Sequence, residues 1–184
     1  FPGLLIQLNS PDRWCRRTAA AVLGRMTART WKTLQRLISD QDPRGRVAAA
    51  LGGRKHARDV DRQGLAVALD VLAGKTSEDV PISLKLEAAR LAQLALGDVG
   101  PLRGRPAVFD GYRARLPADV ISPFAAEVAE HVLAAFPSGH RELDHELARL
   151  AAMVAAAEPG LLERFLARLD SDSHPVDDLH FLIA

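Results

Sequence analysis

The stretch Asn9-Ser10-Pro11-Asp12-Arg13-Trp14-Cys15-Arg16-Arg17-Thr18-Ala19-Ala20-Ala21-Val22-Leu23-Gly24-Arg25 decides how the rest of the chain is read. Ser10 has the chemistry of a helix N-cap, Pro11 that of a first helical residue, and Asp12 sits favourably against the helix dipole. Cys15, Thr18, Ala19, Val22, Leu23 and Met26 recur at helical spacing. They predict one buried face, with Arg13, Arg16 and Arg17 off it.

Variants of this design recur in both directions. Pro2 to Leu8 reads as the tail of a helix. Trp31, Leu34, Leu37 and Ile38 mark a short helix, and Asp42-Pro43 repeats the cap-plus-proline start before Val47, Ala50 and Leu51, with Gly52-Gly53 as the stop. After the basic run at 54–58, Asp59 is expected to open a helix carrying Leu65, Leu69 and Leu72, which Gly74 closes. Pro81 and Ser83 start the next, with Leu84, Ala88, Leu91, Leu94 and Ala95 inward and Gly97 and Gly100 after it. Ser122-Pro123 reads as another cap and first turn, followed by Phe124, Val128, Val132 and Phe136. Leu143, Leu147, Leu150, Ala151 and Val154 define one further helix; Leu162, Phe165, Leu166 and Leu169 define another behind Pro159. Pro175 to Ala184 supplies the last.

Residues 99–116 break the rhythm, with three glycines, two prolines and no sustained period, so a long irregular loop is expected there.

Ala and Leu make up nearly a third of the residues, aromatic residues only 5%, and strand-like β-branched runs are missing. Short helices joined by proline- and glycine-marked turns therefore predict an all-α fold. The recurring Ser/Asp-Pro starts favour a HEAT-like α-solenoid of stacked antiparallel helix pairs with degenerate repeats, forming one domain over residues 1–184. No apolar run is long enough for a membrane span, so this segment is not expected to insert in a membrane. A single cysteine excludes an internal disulfide, and there is neither a Cys-x-x-Cys-His for covalent haem nor paired cysteines for zinc. The segment is thus expected to hold no cofactor and no metal. Net charge is +1, but residues 1–62 carry 13 Lys/Arg against 5 Asp/Glu, and residues 117–184 carry 4 against 12. Stacking in chain order would give the domain a basic end and an acidic end. The chain starts at Phe1 with no leader, and Val176, Leu179, Leu182 and Ile183 form an apolar face without a polar cap. A fragment of a larger chain is expected.

At Ser10-Pro11-Asp12-Arg13-Trp14, with Arg16, Arg17, Thr18 and Ala19, the sequence resembles the HEAT-like repeat region of large planctomycete-type haem-binding dehydrogenase proteins. There a "Ser-Pro-Asn-Arg-Trp-x-Arg-x-x-Ala" stretch opens a helix. Glu142-Leu143-Asp144-His145-Glu146-Leu147-Ala148-Arg149-Leu150 resembles that family's "Glu-Leu-x-Arg-Leu" helix, and Asp177-Asp178-Leu179-His180-Phe181 its "Asp-x-x-His-Tyr" segment; residues 52–120 match weakly. The resemblance implies a helical region between a β-propeller and a c-type haem module, in a membrane-bound dehydrogenase with a periplasmic or exported location. The propeller repeats and the haem motif are not in these residues, so the parent's redox chemistry is not expected of them.

Arg13, Trp14, Arg16 and Arg17 have the chemistry of an anion or nucleic-acid surface. The competing structural reading pairs an arginine with an acid of a neighbouring repeat and packs the Trp stem between helices, and it is preferred. Glu146, Arg149, Asp178 and His180 belong to the family motifs and are read as structural. Cys15 is read as a small buried hydrophobe rather than a nucleophile. His140 and His145 are five apart and do not share a face as metal ligands would. In the loop, Arg103, Arg105, Phe109, Tyr112, Arg113 and Arg115 mix cations with aromatic rings and form the candidate binding set. The expected function is a non-catalytic scaffold or interaction module whose partners are neighbouring domains or other proteins. The alternative is a HEAT-like module that binds nucleic acid through the basic N-terminal region.

Overall fold

Most of the described helices begin where an aspartate or a proline relieves the first backbone N–H groups of needing an intrahelical partner; the helix behind His140 has no side-chain cap. The computed structural model describes residues 2–27, 29–31, 42–54, 60–74, 80–98, 111–114, 116–155 and 158–184. Within them lie α1 (Pro2–Leu8), α2 (Arg13–Leu23), α3 (Pro43–Gly53), α4 (Arg62–Leu72), α5 (Ile82–Ala95), α6 (Ala118–Ala135), α7 (Arg141–Met153), α8 (Pro159–Leu166) and α9 (Pro175–Ile183). The described residues are all-helical, with no strand among them.

Asp42 opens α3 as expected, accepting the Arg44 and Gly45 N–H groups at 2.7 and 3.1 Å with Pro43 in the first turn. At three other starts the position differs. Asp12, not Ser10, caps α2: its carboxylate accepts the Trp14 N–H at 2.7 Å, while Ser10 Oγ takes the Asp12 N–H at 3.2 Å. The charged acceptor makes the stronger bond, so the helix starts behind it. Asp61 caps α4 through the Gly64 N–H at 3.0 Å; Asp59 lies outside the described residues.

Ser122-Pro123 starts nothing. Helix α6 begins one turn earlier behind Pro117, and Pro123 sits inside it. The lost Pro123 N–H would have bonded the Asp119 carbonyl, which the Ser122 hydroxyl approaches at 3.4 Å. The earlier turn buries Ile121, which offsets the proline's cost.

Helix α7 follows its periodicity closely, with Leu143, Leu147, Leu150, Ala151 and Val154 all buried. Helix α2 is rotated from the expected stripe: Ala19, Ala20 and Leu23 point inward with Arg16, whereas Thr18 and Val22 are exposed. Small side chains explain the rotation. Gly52 of α3 lies so close to Ala20 that an added Cβ would collide with its carbonyl oxygen and sit 2.9 Å from the Leu23 Cβ, and a Cβ on Gly53 would strike the Trp31 ring. These glycines end α3, and they also let α2 and Trp31 approach it. On α8, Leu161 and Phe165 are buried, and the expected inward residues Leu162 and Leu166 are exposed.

Leu8, Ala19, Leu23, Trp31, Ala48 and Ala49 make one apolar cluster, and the main core runs from Val47 through α4–α8 to Phe181. Helix α3 belongs to both. Phe136, Phe165 and Phe181 close the far end, with Phe136 edge-on to Phe165 at 4.9 Å. Consecutive helices pack as α2 on α3, α4 on α5, α6 on α7 and α8 on α9. Alternate helices also touch: α3 with α5, α5 with α7, α7 with α9, α4 with α6 and α6 with α8.

Candidate functional site

Two groups of functional side chains come out of this packing. The first is on α2. Arg16 is 4% exposed. It donates to Glu87 of α5 at 2.6 Å and to the carbonyls of Ser10 and Pro11 at 2.8 and 2.9 Å. The guanidinium fork thus ties the entry of α2 to α5. Trp14 lies on the other side of the helix and is 63% exposed, so its stem does not pack between helices. Arg13 and Arg17 approach its ring at 5.4 and 5.7 Å. Cys15 is half-buried between these sides.

The second group is a continuous polar chain through α5, α7, α9 and the segment at 111–114. Arg90 pairs with the buried Asp98 and donates to Gln93 Oε1 at 2.9 Å. Gln93, buried on α5, donates to Glu146 Oε2 of α7 at 2.5 Å, and Arg149 donates to Glu146 Oε1 at 2.6 Å. The Arg149 guanidinium lies 5.4 Å from the Tyr112 ring, and the Tyr112 hydroxyl hydrogen-bonds His180 Nδ1. The His180 ring stacks on His145 at 3.9 Å, and His145 Nε2 bonds Asp177 Oδ1 at 2.8 Å. That oxygen also accepts from Arg141 Nε at 2.6 Å.

Burial pushes the Tyr112 phenol up, against the pull of Arg149, so the hydroxyl keeps its proton and can donate to His180. Burial also lowers the His180 pKa, and the positive charge of His145 and Arg149 lowers it further. At Asp177 desolvation opposes ionisation. The hydrogen bonds and charge of Arg141 and His145 outweigh it and hold the carboxyl below its ordinary range.

An imidazole on a carboxylate is a unit that general bases use. Here His180 covers one face of the His145 ring and Phe181 meets it edge-on at 6.0 Å, so the pair braces α7 against α9. Among the described residues no group of three or more His, Cys, Asp or Glu side chains is placed to hold a metal ion. No described helix is long and apolar enough to cross a membrane.

The sequence-derived residues are distributed as follows. Arg103, Arg105, Phe109 and Arg115 lie outside the described residues, Arg113 is exposed, and Tyr112 is buried inside the polar chain rather than offered to a partner. Glu146, Arg149 and His180 join Tyr112 there, and Asp178 instead accepts from Ser173 Oγ at 2.6 Å. Gln93, Arg90, Asp98 and Arg141 were not singled out by sequence, and Asp177 was named only within the family-like segment at 177–181. A glutamine inside the apolar run Leu91-Ala92-Gln93-Leu94-Ala95 was one available signal, since a buried amide needs a partner. Compared with protein-family models, curated proteins and solved structures, the chain matches none.

Proposed function

We propose that this chain is a helical-repeat scaffold, a HEAT-like array of stacked helix pairs that holds other domains or proteins in register and does no chemistry itself. The alternate-helix contacts α3–α5–α7–α9 and α4–α6–α8 carry this reading, because a repeat array buries each pair against the next. The Arg16–Glu87 bridge and the Tyr112–His180 chain act as fastenings between units. The resemblance to haem-binding dehydrogenase proteins extends the reading: the flanking domains would be a propeller and a haem module.

Removal of residues 158–184 tests the array. The remaining helices are expected to keep their far-ultraviolet signal and unfold cooperatively at a lower midpoint; loss of all helical signal contradicts a repeat array. Deletion of the whole segment from its parent tests the scaffold role, which is abandoned if folding, partner binding and activity are unchanged.

The exposed Trp14 between Arg13 and Arg17 favours one second reading, a nucleic-acid surface. Binding to duplex DNA that weakens steeply with salt supports it, and no binding at low salt removes it.

A further inference from the structure

We propose that copies of this chain associate head to tail, the outer face of α2 in one copy seating on the outer faces of α8 and α9 in the next.

The α2 face is a prepared surface. Trp14 and Val22 are exposed on it, and the Arg13 and Arg17 guanidinium groups lie over the Trp14 ring. An exposed ring flanked in this way has fewer orientations to lose on binding. At the other end Leu162 and Leu166 of α8 are four apart, and Val176, Leu179 and Leu182 of α9 are three apart, so each set is one side of its helix. All five are exposed, Leu182 at 69%. Single exposed leucines are ordinary, but two packed helices that both expose apolar sides mark an interaction surface.

Charge selects the occupant. Residues 1–62 carry an excess of eight positive charges and residues 117–184 an excess of eight negative ones. Glu163 is exposed between the α8 leucines, and Asp170 and Asp172 are exposed in the turn to α9. Of the arginines there, Arg164 is engaged by the Leu133 and Phe136 carbonyls, and Arg168 is an exposed cation. Like ends therefore repel, unlike ends attract, and the contact is heterologous rather than two-fold. Helix contacts run from α2 through α3, α5 and α7 to α9, so the two faces lie at opposite ends of one copy. The proposal rests on that order of stacking, which the removal of residues 158–184 tests without measuring association.

Sedimentation of the full chain across concentration and salt provides the test. Average mass is expected to rise with concentration beyond that of a dimer and to fall as salt screens the ends. Trp14→Glu with Arg17→Glu blocks one face, and Leu179→Asp with Leu182→Asp blocks the other. Each pair should weaken association about tenfold or more. Mixed together, the two blocked chains should form a one-to-one dimer that neither forms alone, because each retains the face the other lacks. All sites are exposed, and circular dichroism checks that the variants fold. A chain that stays monomeric overturns the proposal, as does a closed dimer of identical faces, a mixture that fails to pair, or duplex DNA retained on α2 without self-association.

Discussion

His145 of α7 and His180 of α9 stack with their centroids 3.9 Å apart and their planes 14° from parallel. Two imidazoles in this contact cannot both gain charge without repulsion, and Asp177 and Tyr112 hold the polar edges of the pair. The contact makes the packing of the last helix sensitive to proton concentration.

The His180 pKa is lowered on folding. The unfolded chain therefore binds this proton first as pH falls below the ordinary histidine value of about 6.5. Stability is present in full above that pH and is lost as pH drops toward the folded pKa. The Asp177 carboxylate, whose pKa is also lowered, keeps its contribution until well into acid. Urea midpoints should fall between pH 7.5 and pH 5.5 and fall less in His180→Gln. Equal slopes in both proteins exclude His180 as the cause.

Tyr112→Phe keeps the ring beside Arg149 and removes the hydroxyl that bonds His180. The expected loss is about 1–2 kcal/mol, the range for a buried hydrogen bond with one partner left behind. The His180 pKa should rise, since neutral imidazole loses the donor that favours it. Proton-detected titration of the histidine rings reads that rise, and a fall contradicts the assigned donor.

Arg16→Ala leaves Glu87 half-buried without its cation and frees the Ser10 and Pro11 carbonyls. Breaking such a pair from one side is expected to cost about 2–4 kcal/mol, more than an exposed ion pair contributes. Arg17→Ala on the outer face should stay within about 0.5 kcal/mol. Denaturant melts of the two variants compare the faces of α2 directly. Similar losses contradict the inward placement of Arg16.

Gly52→Ala separates local preference from packing. Alanine in a helix is favoured over glycine by about 1 kcal/mol, so propensity alone predicts stabilisation. The new Cβ would meet backbone at Ala20 and the Leu23 side chain, neither of which yields easily. Packing is expected to win by about 1–3 kcal/mol of destabilisation. A raised melting temperature rejects the close approach of α2 and α3.

The sequence by itself determined that the described residues form helices, where several of them start and stop, and which side of α7 is buried. These are local matters. A cap is settled by bonds over two or three residues, as at Asp42, and Gly74 and Gly97 adopt the positive φ that closes a helix. Tyr112, Glu146, Arg149 and His180 were visible as candidate or motif residues, and His145 and Asp177 were named, but none was seen as part of one group. Only tertiary structure decided their association, because Tyr112 and His180 are 68 positions apart and Arg16 and Glu87 are 71 apart. It also overruled local reading at α2 and at Pro123. Periodicity reports that a helix has an apolar side, whereas the direction of that side is set by whichever neighbour packs most closely, and the glycine at 52 on α3 made that choice for α2.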